Sequence, residues 1–397
     1  MNWPPPWAFL LIAALMFALP SSCRATERSA QAHSSSRELL VFVGTFTGKD
    51  SKGLYLMRMD PRTGALTKPE LVAEAASPSF LALHPNHRFL YSVNEVDSLD
   101  GKRGGGAVSA FAIDPASGKL TPLNRQPSGG TSPTHISIDH KGRNVLVANY
   151  GSGSVVVLPV GEDGELAPVS SIDQHQGRGA DPQRQEGPHA HCANLDPANR
   201  FAFSCDLGLD KVFVSRFDPA KHTIAPNDPP AAAVAPASGP RHLAFHPSGK
   251  FVYVVNEMAC TVTAFGYDPD RGTLEQLQSV STLPEGFSGE KSGAEIAVHP
   301  SGKFLYSSNR GDANNIALFR IDQQTGKLTP AGHTSTQGKA PRSFGIDPSG
   351  TWLLAANQDT SNVVVFRIDA DTGELKPVGV NVAVPTPVCI TFLSAGQ

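Results

Sequence analysis

Short runs of apolar residues recur along the chain, and turns rich in Gly, Pro, Asp and Asn separate them. Within the runs, apolar and smaller residues alternate and β-branched residues are frequent, which predicts strands rather than helices. One unit repeats: an apolar strand, a tight turn, a second strand that ends in a polar residue, then a third and a fourth strand. The tight turn occurs six times, at 84–88 (HPNHR), 139–143 (DHKGR), 196–200 (DPANR), 246–250 and 299–303 (both HPSGK), and 347–351 (DPSGT).

The length of this repeat indicates the architecture. From the first turn to the last there are 263 residues in five intervals, a mean of about 53 residues, close to the ~40–50 residues of a four-stranded propeller blade. Residues 40–45, 53–59 and 65–73 match the second, third and fourth strands of a repeat, whereas residues 386–393 match a first strand.

We therefore predict an all-β fold: a seven-bladed β-propeller of four-stranded blades, whose ring is closed by pairing the C-terminal strand with the N-terminal strands. Such closure removes the exposed edges that an open array would have. Two domains of three or four blades each are the alternative, and the split repeat argues against them.

The first residues form a separate unit. Residues 7–19 (WAFLLIAALMFAL) are an apolar run, followed by polar residues, and the run is short for a bilayer-spanning helix. We expect a signal peptide over 1–25, a disordered leader over 26–36 and the propeller over 37–397. A core helix and a lipid anchor at Cys23 are the alternatives. The predicted location is periplasmic or secreted.

Charge and cysteine content narrow the classes of partner. The chain has 33 basic and 36 acidic residues, a net charge of −3, with no basic stripe or acidic tail. This balance argues against nucleic acid or an anionic membrane surface as a partner, and we expect a monomer or weak dimer. Cys192 and Cys205 flank one hairpin turn, where they would form a disulfide or pack side by side as apolar residues.

The long insertions all fall on one face of the predicted ring. Residues 96–106 follow a second strand, and residues 174–188 and 284–293 precede first strands. Short turns on one face and long loops on the other are typical of a propeller that binds a ligand over its central funnel. The same face collects polar residues at strand ends: Thr134, His135, His189, His191, Arg241, His242, Glu295 and Arg342 at first strands, and Asn94, Glu95, Asn149, Tyr150, Asp206, Asn256, Glu257, Asn309, Arg310, Asn357 and Gln358 at second strands.

The recurring asparagines are interpreted as turn residues that cap their own loops. Arginines, histidines and acids that meet around one axis would instead perturb one another's pKa values, which favours a functional site.

Five motifs carry a resemblance to a known family: GPHAHCANLDP (187–197), DLGLDKV (206–212), GPRHLAFHPSGKFVYVVNE (239–257), SNRGDANNIALFRID (308–322) and APRSFGIDPSGTWLLAANQ (340–358). As a set they resemble the seven-bladed lactonase family, which includes propeller-type 6-phosphogluconolactonase and the fungal carboxy-cis,cis-muconate lactonizing enzyme. The resemblance extends from Leu39 to Leu393. It implies a site made of a histidine of the PHxH string, the arginine of GPRH, the glutamate that ends the next strand and the arginine of SNR, here His189 or His191, Arg241, Glu257 and Arg310.

From this resemblance we expect hydrolysis of a lactone, with His191 as the general base and His189 as second choice. Arg241 would stabilise the oxyanion, and Glu257 would orient the histidine or Arg241, or act as base itself. Arg310 and Arg342 would hold a carboxylate or phosphate by paired hydrogen bonds. His135, His242 and Asp206 complete the predicted substrate-binding set.

No cofactor or metal is predicted, since the HxH spacing of His189 and His191 lacks convincing further ligands. The expected small-molecule partner is a sugar lactone or sugar acid; export conflicts with a cytoplasmic phosphorylated substrate, which makes another sugar lactone an alternative and leaves phosphorylation of the substrate open. Two other functions remain open at this point: a non-enzymatic propeller that binds a protein or glycan, and a cycloisomerase that forms a lactone from an unsaturated acid.

Overall fold

A computed structural model describes residues 38–48, 50–99 and 101–394 of the 397-residue chain. Within these ranges there are seven four-stranded antiparallel sheets and one two-stranded hairpin, and no helix. The predicted seven-bladed propeller is thereby confirmed. The expected signal peptide and leader lie outside the described residues, and the described ranges contain no helical segment long and apolar enough to cross a membrane.

Each blade runs from an inner strand at the axis to an outer strand at the rim. The first three blades comprise β1 (Leu39–Thr45), β2 (Gly53–Met59) and β3 (Glu70–Glu74); β4 (Leu81–Leu83), β5 (Phe89–Asn94), β8 (Ala107–Ile113) and β9 (Leu120–Pro127), with the hairpin β6 (Ser98–Leu99) and β7 (Lys102–Arg103) inserted; and β10 (Pro133–Ile138), β11 (Asn144–Asn149), β12 (Ser154–Pro159) and β13 (Ser171–Gln174).

The remaining strands follow the same order. They are β14 (Asn194–Leu195), β15 (Phe201–Asp206), β16 (Lys211–Asp218) and β17 (Thr223–Ala233); β18 (Pro240–Phe245), β19 (Phe251–Asn256), β20 (Thr261–Asp268) and β21 (Thr273–Ser281); β22 (Lys291–Val298), β23 (Phe304–Gly311), β24 (Asn315–Ile321) and β25 (Leu328–Ser335); β26 (Pro341–Ile346), β27 (Trp352–Asn357), β28 (Asn362–Ile368) and β29 (Leu375–Ala383); and β30 (Pro387–Ser394), which belongs to the first blade.

The ring closes as the split repeat predicts. β30 pairs antiparallel with β1, from Leu39 opposite Ser394 to Thr45 opposite Pro387. Across the same junction the buried Trp352 indole donates a hydrogen bond of 2.8 Å to the Pro61 carbonyl. The first blade is therefore held both by its own ladder and by the last blade.

Apolar side chains fill the spaces between neighbouring blades, and the second strands are far more buried than the outer ones. All seven residues of β1 are buried, whereas β3 has none that is buried. The fourth strand of this first blade is shorter than the sequence predicts: residues 65–69 contribute one bridge, Leu66 to Met59, before β3 begins.

The first residue of three tight turns is a histidine with a structural role. His84, His246 and His299 each place Nε2 within 2.8–3.0 Å of a glycine carbonyl in the corresponding turn of the next blade. These contacts join the turns of neighbouring blades, so these three histidines serve to hold the ring together. Cys192 and Cys205 are both free and buried, side by side in one apolar cluster, which is the packing alternative rather than the disulfide.

Candidate active site

Irregularities in the inner strands bring polar side chains to the axis. The ladder register shifts between Pro133 and His135, between Pro240 and His242, and between Pro341 and Ser343. Thr134, Arg241 and Arg342 are the extra residues at these three bulges. A bulge leaves one residue out of the ladder and re-aims its side chain, so the strand places an arginine or threonine at the funnel while its neighbours stay in the core.

The inner strand of the fourth blade is broken rather than bulged. Ala190 forms one isolated bridge with Asp206, and regular pairing starts again only at Asn194. The His191 amide still donates to the Cys205 carbonyl at 2.8 Å. The Leu207 amide likewise donates to the His189 carbonyl at 2.9 Å, so both histidines flank a paired residue and the ladder is interrupted only between His191 and Asn194.

A cavity of about 210 Å³ opens where these strand ends meet. Six of the seven blades contribute to it, and the loop between β13 and β14 supplies one more side chain. Its lining is almost entirely polar or charged: Glu95, Thr134, Tyr150, Arg184, His191, Glu257, Arg310 and Arg342. Of the sequence-predicted residues, His191, Glu257, Arg310 and Arg342 come together here.

Glu257 is the centre of a cluster of arginines. Its Oε2 lies 3.0 Å from Arg241 Nε and 2.9 Å from Arg310 Nη2, and its Oε1 lies 2.9 Å from Arg184 Nη2. Burial alone would raise the pKa of Glu257, but the charges of Arg310 and Arg241 and the contact with Arg184 lower it to about 2. The carboxylate is thus ionised, with both oxygens occupied.

The arginines differ in how they are held. Arg310 Nη2 also donates to Ser292 Oγ at 2.7 Å and to the Gly293 carbonyl at 3.0 Å, while its buried Nε has no protein partner among the described residues. Arg241 does not line the cavity, and its Nη1 donates to the Ala294 carbonyl at 2.8 Å. Burial, followed by repulsion from Arg342 and Arg310, lowers the pKa of Arg241 to about 9.

His191 is neutral at physiological pH. Burial, then the charges of Arg241, His242 and Arg342, hold the pKa of its imidazole well below the usual 6.5. Its Nδ1 is buried without a protein partner among the described residues. The ring packs edge-on against Tyr150 and His242, with centroids 5.5 and 5.2 Å away.

Glu95 faces the same cavity from the second blade. Ser79 Oγ donates to its Oε2 at 2.5 Å, and Arg342 Nη2 lies 3.9 Å from its Oε1. Burial raises the pKa of Glu95, and Arg342, Ser79 and Arg241 offset this only in part.

Comparisons with known proteins show the family of the chain. The model of a family described as "Lactonase, 7-bladed beta-propeller" matches residues 40–392. The chain is 39% identical to a 6-phosphogluconolactonase of Bacillus subtilis over 352 residues, covering 89% of this chain and 97% of that protein. The chain belongs to the seven-bladed lactonase family.

Two further relatives support the same assignment. A 6-phosphogluconolactonase of Formosa agariphila is 35% identical and covers 80% of this chain and 89% of that protein. The structure of a Pseudomonas aeruginosa periplasmic gluconolactonase superposes with a TM-score of 0.85 at 35% identity, over 90% of this chain and 99% of that one. Membership of this family makes the chain an enzyme, a lactonase.

Several predicted site residues of this lactonase lie outside the cavity lining. His135 and His242 contact each other, with ring centroids 5.3 Å apart, and His242 Nδ1 lies 2.9 Å from Glu295 Oε1. Asp206 is fully buried and accepts hydrogen bonds from His175 Nδ1 at 2.7 Å and from the His189 amide at 2.8 Å. These groups are buried next to the site and do not line the cavity.

His189 is also turned away. Its ring stacks on Tyr150 with centroids 4.5 Å apart, and its two nitrogens lie 3.1 Å from the Tyr150 carbonyl and 3.3 Å from Glu186 Oε1. Between the two histidines of the HxH string, the lactonase therefore presents His191 to its cavity. Among the described residues no group of three His, Cys, Asp or Glu is arranged to hold a metal ion.

Sequence reasoning missed Arg184 altogether and named Glu95, Thr134 and Tyr150 only as residues of the loop face. The insertion 174–188 did signal functional importance by its length. It could not single out Arg184 from the other polar residues around it, because the contact of Arg184 with Glu257 joins positions 73 residues apart.

Proposed function

We propose that this lactonase hydrolyses a sugar lactone in the cavity by attack of a water molecule activated by His191. A general base must be unprotonated and within reach of the water, and His191 meets both requirements because its pKa is low and it lines the cavity. His189 is the poorer base, since both of its nitrogens already have neighbours.

Glu257 is not the base in this proposal. A carboxylate with a pKa of about 2 and three arginine partners is a weak proton acceptor at neutral pH. Its role is to keep Arg241, Arg310 and Arg184 close together against their mutual repulsion. Glu257 thereby preorganises the positive charge that the tetrahedral oxyanion needs.

Arg310 is proposed as the main oxyanion donor, because its unpartnered Nε belongs to a side chain that lines the cavity. Arg241 supports it through Glu257. Removing one such donor commonly costs on the order of 10²–10³ in rate. Arg342, whose Cζ lies 5.0 Å from the centroid of the Phe46 ring, is proposed to bind an anionic substituent of the substrate.

The size and charge of the cavity define the substrate class. A volume of about 210 Å³ is below the ~300 Å³ of typical drug-sized sites, and it suits a single lactone ring. Three arginines and two glutamates line the cavity, and Arg241 contacts Glu257 from outside it. Basic side chains therefore outnumber acidic ones at the site. A sugar lactone that carries a carboxylate or phosphate would complement this excess of positive charge.

We also propose a periplasmic location. The apolar run at residues 7–19 supports it, as does the likeness to a periplasmic gluconolactonase. In that compartment an unphosphorylated sugar lactone is the expected substrate.

The observation that carries the proposal is a neutral histidine facing a cluster of preorganised arginines in one small cavity. A pH-stat assay tests it, with δ-gluconolactone, 6-phosphogluconolactone and a uronic lactone as substrates. We expect turnover above the spontaneous rate, a fall of about 10²–10³ in kcat for Arg310→Ala, and a comparable fall for His191→Ala. Arg320→Ala, an exposed arginine of the same blade, is the matched control. A wild-type protein that hydrolyses none of the three would refute the proposal.

A further inference from the structure

The proposed hydrolysis leaves one proton unassigned, and this inference rests on that proposed function. Water adds to the lactone carbonyl and gives its proton to His191, forming the new C–O bond. The bond from the carbonyl carbon to the ring oxygen then breaks. That oxygen leaves as an alkoxide unless an acid protonates it, and a general acid at this step contributes ~10²–10⁴ in rate.

Two carboxyl groups line the cavity, and they stand at equivalent places in the fold. Glu95 follows Asn94 at the end of β5, and Glu257 follows Asn256 at the end of β19. Their amides are anchored alike, to the Ser77 carbonyl at 2.9 Å and the Gly239 carbonyl at 2.7 Å. The second and fifth blades lie on different sides of the ring, so the two carboxyl groups enter the cavity from different directions.

Their surroundings separate the two groups chemically. Glu257 has three arginine nitrogens within 3.0 Å. Glu95 has a serine hydroxyl on one oxygen, and its other oxygen is 3.9 Å from the nearest guanidinium, beyond hydrogen-bonding distance. One carboxyl is saturated with cations, and the other keeps an oxygen available to a ligand.

The charged groups that act on Glu95 come from several elements. Arg342 of β26 and Arg241 of β18 lower its pKa, Asp97 raises it, and burial, the largest effect, also raises it. His191, Arg184, Arg310 and Glu257 face it from other parts of the cavity wall. Two carboxyl groups whose environments push their pKa values apart commonly divide into an ionised electrostatic group and a protonated acid.

We propose that Glu95 is the general acid that protonates the ring oxygen as the lactone opens. The Glu95 O–H bond breaks as the ring C–O bond breaks, and the proton passes to the alkoxide to give the hydroxyl group of the product. Glu95 is left as a carboxylate and His191 as an imidazolium. Transfer of that proton from His191 to Glu95, through water, returns both to their starting states, so no other reactant is consumed.

The test compares wild type, Glu95→Gln and the control Glu290→Gln, an exposed glutamate in the loop before β22. For Glu95→Gln we expect kcat to fall about 10²-fold or more with KM little changed. We also expect it to lose the alkaline limb of the wild-type kcat profile, because that limb reports deprotonation of Glu95. Glu290→Gln should match wild type in both respects.

Carbon-13 NMR of protein labelled at the glutamate carboxyl groups provides a readout that needs no turnover. The Glu95 signal, assigned by its absence in Glu95→Gln or Glu95→Asp, should titrate above the other glutamates. Titration together with them would overturn the proposal, as would full activity or an unchanged alkaline limb in Glu95→Gln while wild type is active. An inactive wild type would instead refute the proposed function itself, and this inference with it.

Discussion

At the residue scale, the site shows how burial and charge compete for one carboxylate. Desolvation of Glu257 opposes its ionised form, and three arginines reverse that effect. Conversely, those arginines repel one another, and the pKa of Arg241 falls to about 9 although Glu257 touches it. Neither partner would be stable as an ion without the other, because a buried unpaired charge costs several kcal/mol.

The pH dependence of activity should therefore report His191 on its acidic side. Because the pKa of His191 is lowered well below 6.5, kcat/KM should stay at its plateau down to about pH 6 and fall only in stronger acid. Glu257→Gln should lower the plateau and keep this limb, at the same or a lower pH, because loss of the carboxylate leaves the arginine charges that lower the pKa of His191 unbalanced. The measurement is kcat/KM from pH 4 to pH 7. A limb that disappears in Glu257→Gln would make Glu257 the base.

Sequence reasoning identified those site residues whose position in the repeat determines that their side chains point toward the cavity. His191, Glu257, Arg310 and Arg342 all lie where an inner strand begins or a second strand ends, and all four line the cavity. It placed His189 in the same site, whereas the His189 ring stacks on Tyr150 and lies outside the cavity lining. Alternation along a strand puts both histidines on one face and therefore does not tell them apart.

At the element scale, the strap (residues 175–188) positions Arg184 by contacts at both of its ends. At its start, His175 pairs with Asp206 at 2.7 Å and stacks on Phe213 with centroids 3.9 Å apart. Near its end, Gln185 Nε2 donates to the Leu207 carbonyl and to Asp210 Oδ1, both at 2.8 Å. These anchors are buried, so the strap is a fixed part of the cavity wall.

Substitutions of two glycines test whether the position of the strap controls Arg184. A Cβ on Gly208 would lie 1.9 Å from the Gly187 carbonyl oxygen, whereas a Cβ on Gly187 meets nothing within 4 Å. Gly208→Ala must therefore displace the end of the strap, at a cost of about 1–3 kcal/mol, and move Arg184 away from Glu257. We expect its KM to rise by the same factor as in Arg184→Ala.

Gly187→Ala is the matched control and should leave both KM and thermal stability unchanged. Initial-rate kinetics and a thermal melt on the four proteins decide the matter. An unaltered KM in Gly208→Ala would mean that the position of the strap does not control Arg184.

The bulges mark the limit of prediction at this scale. The repeat predicts that Thr134, Arg241 and Arg342 come near the funnel, because each begins an inner strand. It does not predict that each is the extra residue of a bulge. The bulge depends on pairing with the second strand, and that information is not local to the motif.

At the scale of the whole molecule, ring closure by β30 should be essential for folding. Removing residues 387–397 would delete the inner strand of the first blade and leave the buried residues of β1 without their partner on one side. We expect this truncation to lose the cooperative thermal transition and to bind a hydrophobic dye. Removing residues 395–397 alone should change neither, since it keeps every described pair of the ladder between β30 and β1. A cooperative melt in the longer truncation would show that six complete blades suffice.

The number of blades could be predicted because the same pattern of buried apolar residues recurs in each blade. Second strands such as β5, β11, β19 and β27 are buried at all six positions, so each repeat shows the same pattern for the same element. The spacing of the turns then reports the number of blades. The site lacks such redundancy, since each blade places a different side chain at the funnel.

The buried histidines behind the cavity should make the entire propeller sensitive to acid. Burial, and then His242 and Arg241, hold the pKa of His135 well below 6.5, and burial lowers that of His242 although Glu295 opposes it. Below about pH 6.5 the unfolded chain therefore binds protons that the folded chain does not bind. Stability must fall as the pH falls through this window, by up to about 1.4 kcal/mol per pH unit for each such group.

His135→Gln should reduce this slope, because it removes one of the groups that the folded state keeps neutral. Denaturant unfolding at pH 7 and pH 5 measures it: the loss of unfolding free energy between the two pH values should be smaller in His135→Gln than in wild type. His140→Gln, at an exposed turn position, should lose as much as wild type. Equal losses in all three proteins would mean that His135 gains its proton in the folded state as easily as in the unfolded one.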